Sequence, residues 1–325
     1  MKSALTGCLA ESLRSLTFAF ALSALVALAV GNEAAAAEQA VFGGAEEAAR
    51  ALVDALSSSD TRLAEAILGP EGEKLLHSGD PVADLRARQR FVRAYAKQHR
   101  LEYRGDDKVV LHVGREDWPW PIPIVRKDAA WHFDSAAGAE EILDRRIGRN
   151  ELNAIQVCLA IVDAQREYAS TDHDGSGVRA FARRLVSSAG AKDGLYWPAG
   201  DSEEPSPLGP LAARAVEEGY ATSPSGGKPV PYHGYFYRIL TGQGEHAKGG
   251  AYDYLVDGRM VGGFALVAHP ARYGVSGVMT FIVNHDGVVY QKDLGEHTSQ
   301  LARDMTRFDP DRSWSRVERA ARAPP

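Results

Sequence analysis

The spacing of apolar positions changes several times along the chain, and each change marks a boundary. From Ala45 to Leu56 they recur at helical intervals through Ala48, Ala49, Leu52, Val53 and Leu56. Ser57 to Asp60 interrupts the stripe, Thr61 to Leu68 restores it as a short helix, and Gly69-Pro70 ends it. Asp80-Pro81 joins an acidic N-cap to a proline at the first helical position, which predicts a third helix with Leu85, Phe91, Val92 and Tyr95 on its buried face. From 101 to 134 the runs become short and rich in β-branched residues: Lys108 to Val113, the proline-interrupted Trp118 to Val125, and Ala130 to Phe133. The prolines suit an edge strand or an extended segment. Ser135 then reads as the cap of a long helix, with Glu140 and Glu141 near its start, where the helix dipole favours anions. Its apolar stripe is Leu152, Ile155, Leu159 and Val162, it runs to about Tyr168, and Gly148 marks a kink or a boundary between two helices.

Residues 170–230 are rich in Ser, Gly, Pro and Asp and read as loops interrupted by two short helices, Val178 to Ser187 and Leu211 to Glu218. Strands follow at Gly234 to Leu240, Gly263 to Ala268, Val278 to Val283 and Val288 to Tyr290, the last two joined across Asp286-Gly287, a hairpin signal. Thr298 to Phe308 is an amphipathic helix through Leu301, Met305 and Phe308, and the residues after Trp314 read as a frayed tail. The fold class predicted is α+β: N-terminal helices with a small antiparallel sheet over 42–134, then a long helix packed on an antiparallel sheet over 135–317. The first unit is faintly similar in pattern to the cone-shaped nuclear-transport-factor-like fold.

The first 37 residues are expected to lie outside this fold. Lys2 and Arg14 precede Leu16 to Val30, an apolar run broken only by Thr17 and Ser23, and Ala34 to Ala37 supplies small residues for cleavage. That order reads as a secretory signal peptide, with the mature chain starting near Glu38, in the periplasm or outside the cell. The run is short for a spanning helix, so no membrane span is expected after cleavage. Leu5 to Cys8 resembles a lipoprotein box but precedes the apolar run, which discounts lipidation. Loss of Cys8 leaves Cys158 alone, so no internal disulfide is available and the fold must rest on its apolar core. With 37 Lys and Arg against 43 Asp and Glu the net charge is −6, which argues against a nucleic-acid binder.

Five strings carry a resemblance: Ile147-Gly-Arg-Asn-Glu-Leu152, Asp193-Gly-Leu-Tyr-Trp-Pro198, Tyr232-His-Gly-Tyr235, Gly262-Gly-Phe-Ala-Leu-Val-Ala268 and Tyr290-Gln-Lys-Asp-Leu-Gly295. The chain resembles, over nearly its whole mature length, a bacterial family known as domain of unknown function 2950. The resemblance implies an exported bacterial protein and no particular activity. The helix from Asn150 to Tyr168, followed by the strands at Gly234, Phe264 and Thr280, is also similar to the globular part of type IV pilins and pseudopilins. About a hundred mature residues precede that helix here, and Arg145, Arg146 and Arg149 lie in its first part, so the likeness carries a fold and not fibre assembly.

Candidate chemistry is sparse. Asp172, Asp174 and Ser176 stand at positions 1, 3 and 5 of a loop with Gly177 at 6, the opening of a calcium loop. The twelfth position is Arg183 instead of a bidentate Glu, so Asp193, Glu203 or Glu204 would have to complete it, and a solvated turn is the competing reading. His233, Tyr235, His246, Asp253 and His269 are the residues of the C-terminal half that could form an acid–base site if the fold gathers them, with packing as the alternative. His285, His297, Tyr232, Tyr237 and Tyr252 could line the same pocket. Cys158 lies on the apolar stripe and reads as buried and inert; Gly274-Val-Ser276-Gly277 lacks the spacing and strand-to-helix context of a nucleophile elbow. The glycine-rich Leu240 to Gly250 lacks the order of a phosphate loop and reads as a mobile hairpin loop; Trp118, Trp120, Trp131 and Trp197 are core aromatics or ones that hold sugars or peptides. No cofactor fingerprint is present in these motifs. The expectation is an exported, non-enzymatic protein that binds a ligand or an envelope partner, with a periplasmic hydrolase as the alternative.

Overall fold

The structure is a computed structural model that describes residues 39–200, 203–221 and 229–318. The expected export leader, residues 1–37, lies outside them. α1 (Ala45–Ser57) buries the predicted Ala48, Ala49, Leu52, Val53 and Leu56. α2 (Thr61–Leu68) starts at Asp60, whose carboxylate accepts from the Leu63 amide, and ends at Gly69, which takes the left-handed conformation that a β-carbon disfavours. A short helix absent from the predicted elements, α3 (Gly72–Leu76), follows and buries Leu75 and Leu76. α4 (Pro81–Lys97) begins as predicted: Oδ1 of Asp80 accepts from the Ala83 amide at 3.0 Å, with Pro81 in the first turn. Its expected face is shallower than the spacing implied. Phe91, Val92 and Tyr95 are partly buried, Leu85 is 41% exposed, and the one buried residue is Asp84.

Five antiparallel strands follow: β1 (His99–Tyr103), β2 (Lys108–Val113), β3 (Trp118–Pro119), β4 (Ile124–Lys127) and β5 (Ala130–Phe133). They are ordered β1-β2-β4-β5, with β3 on the upper end of β2. α1 and α4 lie against this sheet and enclose a core containing Leu52, Ile67, Leu111, Ile122, Ile124, Trp131 and Phe133.

α5 (Ala136–Tyr168) runs unbroken through Gly148. Ser135 holds the N-cap position as predicted, but its hydroxyl donates to the Leu68 carbonyl instead of capping, and Asp134 accepts from the Ala137 amide at 3.2 Å. The buried row is also turned from the predicted one. Ala154, Cys158, Ile161, Val162 and Gln165 face inward, Ile155 and Leu159 are partly buried, and Leu152 is 60% exposed. Small side chains at 154 and 158 let the helix approach the second sheet, so the inner row is chosen by closeness of packing and not by bulk.

The segment expected as a helix from Val178 to Ser187 is instead extended. β6 (Arg184–Val186) pairs in parallel with β7 (Gly194–Tyr196), and Phe181 bridges to Met260. α6 (Gly209–Glu217) matches the second predicted helix. Next come β8 (Tyr235–Leu240), β9 (Gly242–Gln243), β10 (Tyr252–Asp253), β11 (Leu255–Val256), β12 (Arg259–Met260), β13 (Ala265–Pro270), β14 (Met279–Asn284) and β15 (Val289–Asp293). α7 (Thr298–Asp304) ends earlier than its predicted span, giving way to β16 (Arg307–Phe308), and β17 (Ser315–Arg316) closes the described chain. The main sheet is antiparallel in the order β17-β15-β14-β13-β8, so Ser315 and Arg316 pair with Gln291 and Tyr290 where a frayed tail was expected. Gly287, with φ 75°, makes the β14–β15 turn that Asp-Gly predicts. α5 packs on β13 and β14 around Phe264, Phe281 and Leu266. The architecture is α+β. No described helix is long and apolar enough to cross a membrane.

The two cores are joined by polar contacts of unusual reach along the chain. Asp80 is fully buried; its Oδ2 accepts from the Tyr220 hydroxyl and from the Gly234 amide, each at 2.8 Å. Arg146 donates to the carbonyls of Lys74, at 2.8 Å, and Leu75. Arg272 donates to both oxygens of Glu73 at 2.8 and 3.0 Å and to the His77 carbonyl. The hydrogen bond from Arg272 holds the Glu73 carboxyl below its ordinary value, with burial opposing it. A carboxyl lowered in the folded state stabilises above its unfolded pKa and loses that contribution as pH falls through the folded one. Glu73→Gln is therefore expected to cost about 0.5 kcal/mol at pH 7, as for an exposed pair. The difference from the native chain in urea titrations should vanish on acidification below the ordinary Glu range.

Candidate functional site

The first core is not filled. Beneath α4 lies a cavity of about 140 Å³, open to solvent on one side, walled by leucines of α1, α2 and α3 (Leu52, Leu56, Leu68, Leu75, Leu76) and by Phe91, Trp120, Ile122 and Ile142. Its origin is local. α4 presents Ala87 to this space where a larger residue would fill it, and the helix buries little else. The aromatic wall is held in place: the Trp120 ring packs at 5.0 Å from Phe91 and, edge-on, at 5.5 Å from Phe133.

One edge of the cavity is charged, formed by Asp84, Arg88 and Arg146. Asp84 accepts from the Ser78 amide at 2.9 Å. Burial pushes its carboxyl up, while the bonds from Ser78 and the charge of Arg146 oppose that shift. Burial also draws Arg146 below the ordinary guanidinium value, with Asp84 acting the other way and Arg149 and Arg272 adding to it. Arg146 is engaged by two backbone carbonyls. Arg88 is different: its Nε is buried and makes no hydrogen bond among the described residues. On another face of α4, Arg90 is lowered by burial and then by Arg149, Arg86 and Arg93, so like charges crowd the side of the helix turned away from the cavity.

A second polar cluster sits where the halves meet. His233 adopts a left-handed backbone, φ 52°, and its Nε2 lies 3.3 Å from Glu218 Oε2. Its amide donates to the Tyr220 hydroxyl at 3.3 Å, and its ring packs 4.1 Å from that of Tyr232. Burial draws the His233 imidazole down and Glu218 opposes this. An apolar groove of about 160 Å³ along α6 reaches Tyr220 and Tyr232.

The residues proposed from sequence are not gathered into one place. Tyr235 is fully buried and donates to the Met279 carbonyl, and burial raises its hydroxyl. His246 pairs with Asp309 at 3.0 Å and Asp253 with Arg307 at 2.6 Å, both on the surface. His269 contacts the Pro270 carbonyl and the Phe236 ring. It pairs across the sheet with Phe236 at the start of β8, whereas Asp253 pairs with Gly242 beyond the end of that strand, so the two do not share a cleft. His285 is wedged against Tyr254 and Phe264, and His297 stands at the start of α7.

In the loop after α5, Asp172 accepts from the amides of Asp174 and Gly177, Asp174 from that of Ser176, and Arg259 lies 3.3 Å from Asp174. Hydrogen bonds donated by Ser176 hold the Asp174 carboxyl down at about 2. Among the described residues, no three His, Cys, Asp or Glu side chains converge as a metal site. Ser276 closes its own turn, accepting from the Arg272 amide and donating to the Arg272 carbonyl. Cys158 is buried and its thiol is pushed up by that burial. Gln243, fully buried, ties the glycine-rich loop together by donating to the carbonyls of Lys248 and Gly250 and accepting from the Tyr254 hydroxyl, which holds the segment expected to be mobile. Trp120, Trp131 and Trp197 are core residues, while Trp118 is partly exposed under Arg145.

Asp84 and Arg88 are not among the residues that the apolar pattern singles out, although the sequence carries a signal for them. Asp84, Arg88, Phe91 and Tyr95 recur at helical spacing, which places two charges in line with two aromatics on one face. Charges in the apolar row of an amphipathic helix call for an explanation that surface solvation does not supply.

No curated protein and no solved structure matches the chain. The family model described as protein of unknown function (DUF2950) matches residues 39–317, nearly all of the folded part. The chain therefore belongs to the DUF2950 family.

Proposed function

We propose that this is an exported, non-enzymatic protein that binds a small apolar molecule in the cavity beneath α4, within an N-terminal domain spanning 42–134 and capped by the start of α5. The observation that carries the reading is the cavity itself. An apolar space of about 150 Å³ holds one benzene ring, and the 140 Å³ here is of that size, walled by rigid aromatics and edged by three charged groups. A well-formed apolar pocket with a few convergent polar groups is the usual form of a small-molecule site. The expected test uses protein recovered from the exported fraction, with an N-terminus near Glu38. Benzene at tenfold excess over its Kd should raise the melting temperature by roughly 3 °C and perturb tryptophan emission. Trp120→Phe should abolish the emission change, and Leu76→Phe, which fills the space, should abolish both. No response to benzene or toluene in the native chain would overturn the reading, and an N-terminus at Met1 would overturn export.

A periplasmic hydrolase is the second reading. One contact speaks for it, the approach of His233 to Glu218 beside an apolar groove. A broad esterase, phosphatase and peptidase screen that finds an activity lost in His233→Ala would favour it.

A further inference from the structure

Resting on the cavity reading above, we propose that the ligand is a neutral ring bearing a hydroxyl group, and that Asp84 accepts the hydrogen bond which that hydroxyl donates. The cavity volume limits the apolar body to about one ring. The polar requirement comes from Asp84, the one acid among the residues that line the space, which is 9% exposed. Ser78 is the one residue described that hydrogen-bonds it, the amide reaching Oδ2 at 2.9 Å. Oδ1 has no hydrogen bond among the described residues, and it is not one of the side-chain atoms sealed from solvent. A carboxylate oxygen in so buried a setting is costly without a donor. Burial outweighs Ser78 and Arg146 and pushes the carboxyl up, which is the mark of that deficit.

The class of donor follows from the surroundings. Arg146 stands on the same edge and supplies positive charge toward Asp84, but its guanidinium is turned to the carbonyls of Lys74 and Leu75. Asp84 therefore has a counter-charge and lacks a donor. A hydroxyl supplies the donor alone. An ammonium group would set a second cation beside Arg146 and lose its hydration on entering an apolar space. An ether or a hydrocarbon of the same size would leave Oδ1 as it is. The row along α4 fits a ligand of this shape. Asp84, Ala87 and Phe91 follow one another at spacings of three and four on the face that meets the cavity, and the small Ala87 leaves room between the carboxylate and the aromatic ring. A guest lying under Ala87 has Phe91 and Trp120 for its ring and Asp84 for its hydroxyl.

The test is a matched series on the full chain at neutral pH, read by tryptophan emission and melting temperature: toluene, anisole, phenol and benzylamine. Phenol, the hydroxyl isostere of toluene, is expected to bind about tenfold more tightly, the worth of one hydrogen bond to a charged acceptor. Anisole, which has the oxygen without the donor, should bind like toluene, and benzylamine should bind no better than either. Leu76→Phe should abolish all four responses, which separates binding in the cavity from a general effect of phenol on the fold. Asp84→Asn should keep toluene binding and bring phenol close to the level of toluene; Asp84→Ser serves the same purpose if the amide variant does not fold. If toluene binds and phenol binds no better, this inference fails while the cavity reading stands. If anisole matches phenol at the tighter affinity, or benzylamine exceeds it, the hydroxyl class is wrong. If the phenol preference survives undiminished without the Asp84 carboxylate, the assignment to Asp84 is wrong. If none of the four registers, the cavity reading itself fails.

Discussion

Asp80→Ala is expected to lower stability by about 4 kcal/mol, the sum of a lost helix cap and two buried donors left unsatisfied. The residue is fully buried and serves three amide or hydroxyl groups: Ala83 in its own helix, and Tyr220 and Gly234, which lie 140 and 154 residues further on. A loss of that size should depress the melting temperature by roughly 10 °C in a chain of this length. Asp80→Asn keeps the shape but turns an acceptor pair into one acceptor and one donor, so a smaller loss is expected. Tyr220→Phe on the Asp80→Ala background should cost little more, because its partner is already gone. Additive losses in that cycle, measured by urea denaturation, would show that the two side chains act independently.

Gly138→Ala should cost about 3 kcal/mol, at the upper end of overpacking effects. A β-carbon at 138 would stand 2.4 Å from the Pro121 carbonyl oxygen and 2.7 Å from the Ile122 amide, and backbone cannot swing aside as a side chain can. The comparison is internal to α5. At Gly148 a β-carbon meets nothing within 4 Å, so Gly148→Ala should stabilise by about 0.5–1 kcal/mol through helix propensity alone. Chemical denaturation of the two variants side by side should give opposite signs. Equal effects would mean that the close approach at Pro121 relaxes without cost.

Much of the fold was legible in the sequence. α1, α2, α4, β8, β13, β14 and β15 fall within a few residues of the apolar runs that predict them, because local spacing and turn chemistry agree there. The misreadings share a cause. Val178 to Ser187 has helix-like spacing but is held extended by pairing with Gly194–Tyr196 and by Phe181 against Met260, contacts no local pattern encodes. Leu152 and Leu85 looked like core residues and are exposed because neighbouring small or charged residues take the inner position. The site was less legible. Helical spacing could place Asp84 and Arg88 beside Phe91, but the void beneath them exists only because α1, α3 and α5 converge there. The histidines invited grouping by residue type, and the sheet register separates them instead.

The shallow seating of α4 sets how the cavity communicates with solvent. A helix of 17 residues with a single buried residue loosens at less free energy than the sheet on which it rests. Its first turn is pinned through Asp80 to the second half of the molecule, and its last turns are tied to the sheet by the Gly114 amide, which donates to the Ala94 carbonyl, and by Phe91, Val92 and Tyr95 packed against the core. Ala87 stands exposed in the lining of the cavity, so a guest enters along the open side of α4 while both ends of the helix stay fastened. Exchange of the guest would then need neither fraying of α4 nor global melting of the protein.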